Sequence, residues 1–201
     1  ADNPDYPPSN LFDADYATCW TAGSESKNNN PRLFIRMSED AVILNIYSGY
    51  GKSGDLYQKN ARPRTMKISI WGGINPEGYV SEKAALYKAL KYEESRIYTL
   101  KDENGLQHIS LDFPEDLLKN FLKECRTQFA VDFNKPIAGS GLILELEIMD
   151  IIEGTEYDDI CISELFFNDR FMSGSGRKSS DIRHVYLNEK KTTLLAETRC
   201  G

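Results

Sequence analysis

The sequence predicts a mainly β protein, an antiparallel sandwich or barrel, and three observations carry that reading. Short apolar runs recur in period two, as in Met66, Ile68 and Ile70 around Lys67 and Ser69. On a half-buried strand such alternation sends one set of side chains inward and the other to solvent. Gly- and Asn-rich turns join the runs, and only two segments carry a helical period, whereas βαβ units would alternate strand and helix throughout.

Taken in order, residues 1–30 are rich in Asn, Asp, Pro, Ser and Gly and read as loop and turn. Strands follow at 33–37, 41–47, around Met66, at Ile109, Leu111 and Phe113, and at Phe129, Val131 and Phe133. The clearest alternation is Leu142, Leu144, Leu146 and Ile148 around Glu145 and Glu147, and a last run covers 160–167. Helices are expected at 81–92, where Ala85, Leu86, Ala89 and Leu90 fall on one face, and after Pro114, where Leu117, Leu118, Phe121, Leu122 and Cys125 form a stripe. An open Ser/Gly/Arg/Lys stretch at 173–180 leads to a hairpin around Asn188 and Glu189. A lone hairpin is marginal in water, so it is expected to dock on the sandwich or, with the chain ending at Gly201, to open a further domain.

Composition narrows the partners. The 201 residues hold 24 Lys and Arg against 31 Asp and Glu, a net charge of −7, which makes duplex nucleic acid and anionic membrane surfaces poor partners. At 40% hydrophobic and 27% charged the chain can build a core, and it holds no apolar run of about 18 residues that would insert into a membrane. The chain opens on Ala1 with no charged-then-apolar leader, so export is not read directly. Cys19, Cys125, Cys161 and Cys200 include no CxxC pair, which argues against a zinc ribbon; three two-disulfide pairings and free core thiols all stay open.

Three stretches carry chemistry. The loop 10–20, NLFDADYATCW, offers the carboxylates of Asp13 and Asp15 and the hydroxyl of Thr18, oxygens suited either to a hard cation or to closing turns. The connection 46–64 gathers Tyr47, Tyr50, Lys52, Asp55, Tyr57, Asn60, Arg62 and Arg64. Aromatic faces stack on sugar rings while amide, carboxylate and guanidinium groups bond hydroxyls, so Tyr50, Lys52, Asp55, Tyr57, Asn60 and Arg62 are the candidate ligand-binding set; a solvated loop covering the core is the alternative. Its GYGKSG segment lacks the spacer of a phosphate loop, and no helical pattern is read after it. In the third stretch, YDDICISELFF, Glu164 sits inside an apolar strand and either faces solvent or turns inward toward a cation or arginine.

Together the NLFDxD…TxW opening, the GYxKSxxLYxKNxRP segment and the closing YDDxxISEL resemble the glycan-binding module found with bacterial NAD-glycohydrolase toxins, within the discoidin or galactose-binding-like superfamily. The resemblance implies a galactose-binding-like jelly-roll β-sandwich over residues 1–170, with one or two inserted helices; the linker plus hairpin over 171–201 lies outside it. In the wider superfamily a structural Ca²⁺ is often held where the opening loop meets the closing strand, and the matching residues here are Asp13, Asp15, Thr18 and Glu164, with backbone carbonyls nearby. The family's usual glycine after the first Asp is Ala14 here, which matters if that position needs positive φ. The function implied is non-catalytic binding of a glycan or glycoconjugate by a secreted or cell-envelope bacterial protein. The alternative is an adhesion module packing on a neighbouring domain. A hydrolase ranks last: His108 and His184 are far apart in sequence, and the adjacent Asp158 and Asp159 would point to opposite faces of a strand.

Overall fold

A computed structural model of the chain describes residues 5–22, 30–81, 84–168, 182–187 and 193–199. A 3₁₀ turn at Pro8–Phe12 leads to β1 (Trp20–Ala22), β2 (Arg32–Met37), β3 (Ile43–Ser48), α1 (Gly54–Lys59), β4 (Asn60–Pro76) and β5 (Val80–Ser81). Then come β6 (Ala84–Thr99), β7 (Leu106–Ser110), α2 (Glu115–Phe133), β8 (Ile137–Ile152), β9 (Tyr157–Phe167), β10 (Ile182–Leu187) and β11 (Thr193–Arg199). One sheet of the β-sandwich runs β10-β11-β6-β4-β8-β2, and the other is β7-β3-β9-β1; the start of β4, running parallel to β9, links them. The hairpin therefore extends the sheet beside β6, while the stretch 173–180, the turn at Asn188 and Glu189, and Cys200 lie outside the described residues.

Alternation builds the core. Leu33, Ile35 and Met37 of β2, Met66, Ile68 and Ile70 of β4, and Leu142, Leu144, Leu146 and Ile148 of β8 meet Leu44, Ile46, Ile160 and Ile162 of the facing sheet. Helix α2 completes this core, because Leu118, Leu122, Cys125 and Phe129 recur at helical spacing and all are buried. It lies so close to β4 that a Cβ on Gly72 would stand 2.5 Å from Cys125 Sγ. Burial pushes the Cys125 thiol up to about 12.

Four expectations change. The helix expected at 81–92 is not found: residues 84–92 lie in β6, paired with β4 on one side and β11 on the other. Ala89 packs with Trp71 and Ile143 while Leu90 joins the main core, so apolar neighbours in sequence serve opposite faces of one strand. Phe129, Val131 and Phe133 belong to α2 and not to a strand; Phe129 is buried and Val131 is 78% exposed, as helical geometry requires. The strand expected through Leu111 and Phe113 ends at Ser110, before Asp112 at φ 51°. A short helix, α1, does follow GYGKSG, with Ser53 Oγ accepting from Leu56 N–H as its N-cap.

The face of β8 expected toward solvent is also covered. Glu145 and Glu147 are buried and ionically paired. Glu145 accepts from Trp71 Nε1 and Lys91 Nζ, each at 3.0 Å, and lies 3.5 Å from Arg32 Nε. Arg32 Nη2 donates to Glu147 at 2.9 Å, with Lys67 Nζ 3.8 Å away. Burial opposes the Glu147 carboxylate, yet the Arg32 hydrogen bond and the two cations hold its pKa below the ordinary carboxylate range.

Candidate functional site

Three separated stretches converge on Ser163, midway along β9. Its hydroxyl oxygen accepts from Gly51 N–H at 2.9 Å, and its O–H donates to Tyr16 O at 3.3 Å. Gly51 is required by this approach, since a Cβ there would stand 2.9 Å from Tyr16 O and from the Tyr47 ring. The opening loop and the closing strand thus meet, with Trp20 opposite Ile162 in the β1–β9 register. Aromatic rings gather on the junction: Tyr6 and Tyr50 meet edge to face at 6.2 Å, and Tyr16 and Tyr47 lie 4.7 Å apart. Tyr47 hydroxyl donates to Asn104 at 2.6 Å. Burial raises the Tyr50 phenol pKa first of all, with smaller contributions from Cys19, Tyr6, Cys161 and Asp15, which sets that ring beside the opening loop.

The six candidate ligand residues divide into two groups. Tyr57, Asn60 and Arg62 are buried and spend their polar groups inside the chain. The Arg62 guanidinium lies 4.4 Å over the Tyr57 ring and donates through Nε and Nη2 to Asp102 Oδ1 at 2.8 and 2.6 Å. Its Nη1 donates to Tyr57 O and Asn60 O, and Asn60 Nδ2 donates to Leu56 O at the end of α1. Tyr57 hydroxyl donates to Asp102 at 3.1 Å; burial foremost, and Asp102 with it, push its pKa up to about 12 against the lowering charge of Arg62. Tyr50 is half-buried, Lys52 is exposed, and Asp55 is exposed and paired with Lys59 at 3.1 Å. Tyr6, Tyr16, Asp102 and Asn104 were not singled out from sequence; the turn-forming run at 102–105, DENG, was the available signal.

The expected calcium ligands are arranged as turn closers. Asp13 Oδ1 accepts from Asp15 N–H at 3.0 Å, its Oδ2 accepts from Thr18 Oγ1 at 2.7 Å, and Asp15 Oδ1 accepts from Ala17 N–H at 2.8 Å. Glu164 is turned inward and fully buried, opposite Tyr47 in the β3–β9 register. Among the described residues no three His, Cys, Asp or Glu side chains come together as metal ligands.

Ala14 adopts φ 63°, the left-handed conformation that its family glycine would take without cost. Ala14→Gly is therefore expected to stabilise the fold by about 0.5 kcal/mol, the relief of strain exceeding the added freedom of the unfolded chain. A urea midpoint that falls would refute this.

The hydrolase alternative gains no pair. His108 Nδ1 hydrogen-bonds Asn45 Oδ1, and Asn45 Nδ2 in turn donates to Phe166 O and Asn168 O, a link between β3, β7 and β9. No helix among the described residues is long and apolar enough to cross a membrane.

The family model for the NAD glycohydrolase translocation F5/8 type C domain matches residues 1–168. No curated protein and no solved structure matches the chain. The matched description is of a translocation module of the discoidin-like class, and not of a catalytic NAD-cleaving domain. The mainly β sandwich of the described residues and the convergence of loop 10–20 with β9 agree with that match, and the chain belongs to the NAD glycohydrolase translocation F5/8 type C domain family.

Proposed function

We propose that the chain is a non-catalytic glycan-binding module of an exported bacterial protein, which grips sugar at the rim formed by the opening loop, the 49–55 loop and the middle of β9. The observation that carries this reading is the edge-to-face pair of the half-buried Tyr6 and Tyr50 rings, with Tyr50 on the loop that also carries the exposed Lys52. Ring faces take the apolar faces of sugars while the flanking charges bond hydroxyls. Tyr57, Asn60 and Arg62 support the loop from behind. Calcium at Asp13, Asp15, Thr18 and Glu164 is a separate proposal, which the same titrations run with calcium and with chelator test.

The experiment is a glycan array followed by calorimetric titration of the best sugars. Binding is expected, and Tyr50→Ala and Lys52→Ala should each weaken it about tenfold, equal to ~1.4 kcal/mol, with unchanged thermal midpoints. No heat at millimolar sugar would overturn the reading and leave adhesion to a neighbouring domain as the function of the same rim.

A further inference from the structure

The opening segment is tied to the closing strand around two cysteines. Asn10 Nδ2 donates to Cys19 O at 2.9 Å, and Gly49 N–H donates to Cys161 O at 2.9 Å. Thr21 lies opposite Cys161 in the β1–β9 register. Opposed residues share a sheet face, and Cys19, the residue just before β1, stands two before Thr21, so, where the chain runs on from β1, Cys19 and Cys161 are diagonal neighbours. Both are free and buried, at 0% and 1% exposure, and the neighbouring Cys19 thiol is the foremost influence holding the Cys161 pKa up. Cys125 sits elsewhere, on α2 against Gly72.

We propose that Cys19 and Cys161 are a disulfide pair, joined as the chain folds in an oxidising compartment and stapling β1 to β9. From this diagonal placement, the approach to the ~2.05 Å bond length asks for side-chain rotation and a shift of β1 against β9. The neighbouring Cys19 thiol, and then burial, hold the Cys161 thiol far above the ordinary range, so the folded dithiol is a poor nucleophile and the bond is made before the strands close. With glutathione disulfide as oxidant, one cysteine thiolate attacks it and releases one glutathione. The second thiolate attacks the resulting mixed disulfide and releases the other. Two thiols lose two electrons and two protons, and two glutathione thiols gain them. The staple closes a loop of about 140 residues and fixes the floor beneath Tyr50, which lies within electrostatic reach of both sulfurs. It does not rest on the glycan reading.

The test refolds the full reduced chain from guanidinium chloride in a glutathione redox buffer, alkylates remaining thiols with N-ethylmaleimide and maps the digested peptides by mass spectrometry. One linked pair joining Cys19 to Cys161 is expected, with a thermal midpoint roughly 5–10 °C above that of the reduced protein. Cys125→Ser should keep the link, so the result stands even where Cys161→Ser fails to fold. Full alkylation of Cys19 and Cys161, or a dominant bond from either to Cys125 or Cys200, overturns the proposal.

Discussion

Glu145→Ala is expected to cost about 3–5 kcal/mol, lowering the thermal midpoint by roughly 10 °C. The carboxylate is 2% exposed and holds three groups together: the indole N–H of Trp71, the ammonium of Lys91 and the guanidinium of Arg32. Truncation leaves an indole N–H with no acceptor in a fully buried ring and Lys91 without its carboxylate, while Arg32 keeps Glu147 alone. Glu145→Gln keeps the shape and one acceptor but loses the charge, so it should fall between wild type and Ala. Glu147→Ala should cost less, because its side chain is 11% exposed and water can take up part of the lost contact. Urea denaturation of the three variants checks the order, and an unchanged midpoint for Glu145→Ala would refute the account.

Arg62→Ala is expected to cost about 2–4 kcal/mol and to loosen the 49–60 loop. The guanidinium supplies donors to two backbone carbonyls and to Asp102 while covering the Tyr57 ring. Arg62→Lys should recover little, since an ammonium has neither the planar fork nor the stacking face. Asp102→Asn should be mild, because the Asp102 side chain is 52% exposed. Hydrogen exchange on the amides of 53–60, together with the urea midpoint, reads both effects. Protection in Arg62→Ala equal to wild type would show that the clasp does not hold the loop.

Much of the sandwich was legible because one-sided strands alternate: β4, β8 and β9 announce themselves through Met66, Leu144 and Ile162. The misread element, β6, is apolar on two faces, and its Ala89-Leu90 pair mimics a helical stripe. The second half of α2 was hidden by the opposite accident, since Phe129, Val131 and Phe133 also alternate. Glu145 reads as a solvent residue in one dimension, and only the pairing of β2, β4 and β6 around β8 assembles its cations. At the candidate site, the resemblance brought the opening loop and β9 together. Asp102, 40 residues beyond Arg62, carried no local mark of its role.

The pairing of Trp20 with Ile162 also sets the order in which this domain can assemble. On a ribosome, β1 must wait for nearly the whole module to emerge before its partner exists, and β3 waits for the same strand. Closure dominated by such distant contacts is slow. Until residue 167 has cleared the exit tunnel, the nascent chain carries open strand edges rich in Leu and Ile, the segments for which a holdase chaperone would compete.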